Sequence, residues 1–243
     1  NRYAKGALDL DFPEVRAVMD KDGHVTDIIT EEYDESHQLI EECMLAANEA
    51  VALTLKNRNR PTIYRVHEEP DSAKLFEFGQ LCKLYGHPVH DIGQRQYLNE
   101  LMKSIKGSPD EQLLKLALLK SLMRARYDTE PLGHYGLATA NYCHFTSPIR
   151  RYPDLAIHRI MTDLLRGTDK ETMILRYSDF AEKASKQSSE REIIAMQIER
   201  KAEDCYKAEY ARRHLGESYE GRISGVTQRG LFIELENGVE GFV

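Results

Sequence analysis

The 243-residue chain lacks several features that would narrow its class at once. It has no run near the roughly 18 consecutive apolar residues that a membrane span requires, so no membrane role is expected. It opens on no signal-peptide pattern. Its four cysteines, Cys43, Cys82, Cys143 and Cys205, are far apart and form no C-x-x-C pair. They read as reduced thiols of a cytoplasmic protein rather than as a disulfide framework or a zinc site. Low-complexity runs are absent, and 41% hydrophobic with 30% charged residues is the composition of a folded domain. There is also no excess of positive charge: the formal net charge is -7. A globally basic nucleic-acid binder is thereby excluded, and any contact with RNA or DNA must use a local basic groove.

What is present is mostly helical in period. The stretch "EVRAVMDKDGHVTDIIT" reads as two strands about a turn at Lys21–Gly23, where Asp-Gly favours a hairpin. Leu39, Ile40, Cys43, Met44, Ala47, Val51 and Leu55 then fall on one helical stripe. Ile63–Val66 suits a short strand, and Asp71 or Ser72 can cap the next helix. Further helices are expected over 94–106 and 110–126, the second opened by Ser108-Pro109, and over 174–214 as one helix or two. After Gly216 short β-type runs separated by glycine turns take over, with room for about three strands, too few to close a small barrel. The expected class is α+β with a helical majority.

One stretch concentrates charge against the acidic background: "HFTSPIRRYPDLAIHR", His144 to Arg159. Ser147 suits an N-cap and Pro148 the first helical position, while Pro153 forces a kink or a restart. Backbone N–H groups near 148–151 would then lie beside two guanidiniums, which is an anion site. Arg151 can instead pair with Asp154, and Ile149 and Tyr152 read as core. Ser147, His144 and Asp154 do not read as a nucleophilic triad, because a serine before proline at a helix start is far more often a cap. His134, His144 and His158, at spacings of 10 and 14, fit no metal-ligand pattern and read as packing histidines.

From His134 to His158 the chain reads "HYGLATANYCHFTSPIRRYPDLAIH". This resembles the signature of the ribonuclease II/ribonuclease R family, 3′→5′ exoribonucleases with an RNB catalytic domain, and ribonuclease R fits better. "LIEECMLAANEAVA" also matches a helix of that family, and the tail resembles the start of an OB-fold RNA-binding domain of the ribosomal-protein-S-one type. The resemblance implies the C-terminal portion of an RNB domain at 1–215 and a truncated OB-fold β-barrel at 216–243. It implies processive hydrolysis of single-stranded RNA to 5′-mononucleotides with Mg²⁺. The metal-binding aspartates are expected upstream of residue 1, with no metal ligand in this chain and no activity for the chain alone. Asp9, Asp11, Asp20 and Asp22 do not have that cluster's spacing and read as strand edge and hairpin turn.

By the same resemblance Arg150 is the catalytic arginine on the scissile phosphate, and Arg151 and Glu41 are RNA-binding candidates. Glu199 aligns with an acidic position near the active site, although Lys201 stands where the family often has aspartate. For both glutamates a solvated helix face is the competing reading. Leu10 falls where the family often places a phenylalanine that stacks on the 3′-terminal base, and Phe12, on the same strand face, is the substitute. In the tail, Phe232 is the candidate stacking aromatic and Arg229 a phosphate neighbour. The alternative is a non-catalytic RNA-binding protein on a degenerate RNB scaffold. No protein partner is implied.

Overall fold

The computed structural model describes residues 6–8, 15–31 and 34–243. Two compact units divide the chain: the first takes 1–10 and 36–191, the second 11–35 and 192–243. Mixed helices and small sheets bear out the α+β class.

In the first unit the chain runs α1 (Glu35–Asn57), β3 (Tyr64–Val66), α2 (Ser72–Leu84), α3 (Arg95–Ile105), α4 (Glu111–Ser121), β4 (Arg126–Asp128) and α5 (Tyr152–Leu165), and then enters α6 (Lys170–Arg213). Local chemistry accounts for several boundaries. Asp71 caps α2 by accepting from Ala73 N–H at 2.8 Å and Lys74 N–H at 3.2 Å, satisfying two of the helix's orphan donors. Leu98, Leu101, Met102 and Ile105 recur at i, i+3, i+4 and i+7, so α3 buries one stripe. That stripe joins Leu75, Phe78, Cys82, Leu114 and Leu118 in one hydrophobic cluster of α2, α3 and α4. A second cluster holds Leu55, Ile63, Val66, Tyr127, Cys143, Ile157, Ile160, Met173 and Tyr177. Each such buried side chain contributes about 1.5–3 kcal/mol. Truncating Leu98 or Ile157 to alanine would cost about 2–5 kcal/mol.

Several expectations are corrected. The 110–126 helix stops at Ser121; Leu122 is already extended, and Arg126–Asp128 pairs antiparallel with β3, Tyr64 opposite Asp128. Strand pairing with β3, distant in sequence, overrides the local leucine-rich period there. On α1, the first half of the apolar stripe faces outward, with Leu39 65% and Ile40 60% exposed, and Asn48, Ala52 and Leu55 are its buried residues. Of the two outcomes expected over 174–214, one helix or two, the first holds: the segment belongs to the single 44-residue α6, Lys170–Arg213.

The second unit contains the β1 (Val15–Met19) and β2 (Val25–Thr30) hairpin, the later part of α6, and a β5 (Gly221–Thr227), β6 (Gly230–Leu235), β7 (Glu240–Phe242) antiparallel meander. At the hairpin turn Asp20 accepts from Asp22 and His24 N–H, and Gly23 takes φ +83°, a conformation that favours glycine. Val25, Ile28 and Val239 are its buried core, flanked by Val15, Tyr210 and Leu235. The three-stranded sheet is open, with no closed barrel among the described residues.

Candidate functional site

The arginine stretch is fixed from below by a buried polar residue of α1. Asn48 is 2% exposed. Its side-chain NH₂ donates to the Tyr142 hydroxyl at 3.1 Å, and its side-chain oxygen accepts from Phe145 N–H at 2.9 Å. Its carbonyl accepts the Cys143 thiol at 3.3 Å. Arg65 N–H of β3 donates to the Tyr142 carbonyl at 2.9 Å. His158 stacks on Phe145, ring centroids 4.0 Å apart, and its Nε2 lies 2.9 Å from the Phe145 carbonyl. A carbonyl only accepts, so that nitrogen carries the proton.

Beyond Phe145 the chain turns before α5 begins. The Ser147 carbonyl accepts from Arg150 and Arg151 N–H at 3.3 and 3.1 Å, closing a turn over Pro148–Arg150. The expectation of a helix starting at Ser147-Pro148 is thus corrected: α5 starts at Tyr152, Arg151 is its extended N-cap residue and Pro153 lies in its first turn. Of the two outcomes predicted for Pro153, the helix starts anew there rather than kinking, since proline's missing N–H costs nothing in a first turn. Ile149 is fully exposed and Tyr152 is 48% exposed, so neither is core. Arg150 is exposed on the turn. Asp154 is fully buried, and its Oδ2 accepts from Ser147 N–H at 2.7 Å and from Arg151 Nε and a terminal guanidinium nitrogen at 3.2 and 2.8 Å. His144 instead meets the Tyr127 hydroxyl, at 3.0 Å through Nδ1. The carboxylate is spent on a backbone amide and a guanidinium, so Ser147, His144 and Asp154 form no relay.

A cleft of about 340 Å³ opens beside this loop, lined among others by Glu41, Arg65, His134, Tyr142, His144 and Arg151. Burial, reinforced by the Arg151 and Arg65 charges, pushes the His144 pKa down to about 2. Burial, with His67 and Arg65 nearby, takes His134 down to about 3. Both rings are therefore neutral near pH 7. His134 accepts Leu137 N–H on Nδ1 at 3.3 Å, which leaves its proton on Nε2. The standing charges of the cleft are two guanidiniums against one carboxylate. That donor set does not fit a divalent cation, and no group of three or more His, Cys, Asp or Glu side chains among the described residues could hold one. His134 also borders a second depression of about 290 Å³, lined by His67, Arg95 and Tyr135, where Arg95 stacks 4.0 Å over the Tyr135 ring.

Of the residues singled out in the sequence, Glu41 and Arg151 line one cleft, and Arg150 stands on the turn that carries Arg151. Glu199 is exposed on α6 in the second unit. Also in that unit, Phe232 is half-buried against Phe242, ring centroids 5.0 Å apart, and Arg229 is exposed in the β5–β6 turn. Leu10 and Phe12, like Asp9 and Asp11, lie outside the described residues. Sequence reading missed Asn48, Arg65 and Tyr142. Asn48 left a signal, a polar side chain in line with Met44, Val51 and Leu55 on an otherwise apolar face.

Comparison with known proteins decides the family. A model described as the RNB domain matches residues 1–167. The chain belongs to the RNB-domain family. Over its whole length this RNB chain is 39% identical to Ribonuclease R 1 of Lactococcus lactis and 38% identical to Ribonuclease R of Aquifex aeolicus. It spans 30% and 34% of those two proteins, about a third of their length. The fold matches that of Mycoplasma genitalium RNase R in complex with ribose methylated single-stranded RNA, with a TM-score of 0.92 and 28% identity. That match covers 99% of this chain and 38% of the other.

Proposed function

We propose that this RNB chain is the phosphate-holding part of a 3′→5′ exoribonuclease of the ribonuclease R kind. The observation that carries the reading is the exposed Arg150, presented on a fixed turn whose next residue lines a cleft with two half-buried, neutral imidazoles. Phosphodiester hydrolysis builds charge on the phosphoryl oxygens, and a preorganised guanidinium stabilises that charge most where little rearrangement is needed. Arg150 is the group we assign to the scissile phosphate, by bidentate hydrogen bonds. Arg151, already tied to Asp154, adds positive potential along the backbone path. Glu41 would repel a phosphate but suits a ribose hydroxyl, the group that distinguishes RNA from DNA. Neutral His134 offers an N–H donor without adding charge.

Single-stranded RNA is the proposed substrate, 5′-mononucleotides the products, and the cytoplasm the proposed compartment. Mg²⁺ belongs to the proposal with ligands other than the residues of this cleft. Residues 1–215 are read as RNB domain and 216–243 as the start of an OB-fold domain, in which Phe232 stacks a base and Arg229 meets a phosphate. Glu199 and the Phe12/Leu10 base clamp remain assigned by resemblance alone.

The test uses the full-length protein with 3′-labelled single-stranded RNA and Mg²⁺. Release of labelled mononucleotide by the parent protein and its loss in Arg150→Ala support the assignment. RNA bound but left intact by the parent protein would instead make the chain a binding module on an RNB scaffold.

A further inference from the structure

We infer that Asp154 is a positioning residue that aims Arg150, an inference that rests on the reading of Arg150 given above. Asp154 sits in the first turn of α5, fully buried, and a single oxygen, Oδ2, receives all its hydrogen bonds. These come from both ends of the turn that displays Arg150: the Ser147 amide before it and the Arg151 side chain after it. Of the three residues between, Arg150 bonds back to the Ser147 carbonyl through its amide, and Ile149 is fully exposed. The carboxylate therefore determines where the turn starts and where it ends. Its other oxygen, Oδ1, is buried with no partner among the described residues. A buried carboxylate satisfied on one side is a poor stabilising device, because removing a charge from water costs more than an imperfect pair returns. Geometry, rather than stability, is the benefit that explains it. The same bonds hold the Arg151 guanidinium by two of its three nitrogens, so the two adjacent arginines divide the work, one displayed and one serving as a strut at the edge of the cleft.

The experiment is a double-mutant cycle in the full-length protein. Asp154→Asn keeps one acceptor in place and removes the charge; it should lower turnover by roughly 10- to 100-fold, the cost of a small misplacement of a reacting group. In the Arg150→Ala background the same change should alter turnover by less than about 2-fold, because the residue it aims is gone. The melting temperature should fall by the same amount in both backgrounds, because Arg151 loses its counter-charge in each, and hydrogen exchange at the Ser147 amide should quicken. Equal losses in both backgrounds, or loss of turnover that follows loss of melting temperature, overturn the proposal. Should Asp154→Asn not fold, Arg151→Lys removes the two-pronged contact and must show the same dependence on Arg150. If the parent protein proves not to hydrolyse RNA, the functional reading falls but the cycle is still read, as affinity for a fluorescein-labelled single-stranded RNA. Losses confined to the Arg150 background uphold the inference there, and additive losses defeat it.

Discussion

The loop from Tyr142 to Asp154 and the β5–β7 meander are the two regions we propose to meet RNA, and they are held in opposite ways. In the loop, side chains do the fixing: Asn48, His158 and Asp154 each bond to its backbone. In the meander the backbone ladder does it, Ile223 opposite Ile233 and Phe232 opposite Phe242, while β5 is almost wholly exposed. Such a difference suits two tasks. Charge developing in a transition state is stabilised by a donor that is already in place, whereas a base stacked on a ring can shift without losing the contact.

Mutations should separate the two regions by size and by kind. Arg150→Ala in the full-length protein should lower turnover by roughly 10²–10³-fold with a smaller loss of RNA affinity; a variant with wild-type turnover would falsify the role of the loop. Asn48→Leu keeps the branched outline but takes from the Phe145 amide and the Tyr142 hydroxyl their Asn48 partner, and urea unfolding should show a loss of about 1–3 kcal/mol. Phe232→Ala should weaken single-stranded RNA binding by about 1–3 kcal/mol while turnover at saturating RNA holds. A fall in turnover instead of affinity would erase the contrast.

Two histidines beside the loop carry a pH dependence near neutrality. His134 and His144 have pKa values lowered from 6.5 to about 3 and about 2, so the unfolded chain takes up protons before the folded one does. Stability from the neutral rings is complete above about pH 6.5 and is lost as the pH falls below it, at up to about 1.4 kcal/mol per pH unit for each ring. Urea titrations at pH 7, 6 and 5 should show that slope, and His134→Gln with His144→Gln should flatten it. At the small end, Arg222→Ala, which breaks the exposed pair with Glu234 on β5 and β6, should move stability by no more than about 0.5 kcal/mol.

Signals confined to one element were legible in the sequence. The Asp71 cap, the helix at 94–106, the first hairpin and the three-strand count of the tail all follow from spacing and turn chemistry. The signature itself pointed to the family. What escaped was set by distant partners. Leucines at 113–119 spoke for continuing α4, yet β3 claims residues 126–128. Asn48 and Phe145 stand 97 residues apart, and no periodicity links them. The pairing of Arg151 with Asp154 was readable at i, i+3, but that Asp154 also takes the Ser147 amide was not, because the turn before Tyr152 replaces the helical spacing assumed there.

The bond from the Cys143 thiol to the Asn48 carbonyl has a practical corollary. Burial and the neighbouring Asp154 push that thiol up to about 12, and burial alone takes Cys82 up to about 11. Cys43 and Cys205 are exposed. A thiol reagent at neutral pH should thus meet two fast sites and two slow ones, because thiolate is the reactive form. The slow pair sits in different cores, Cys143 under the arginine loop and Cys82 among α2, α3 and α4. Their labelling rates are two independent clocks, one for each core's opening, already built into the natural sequence and needing no engineered probe.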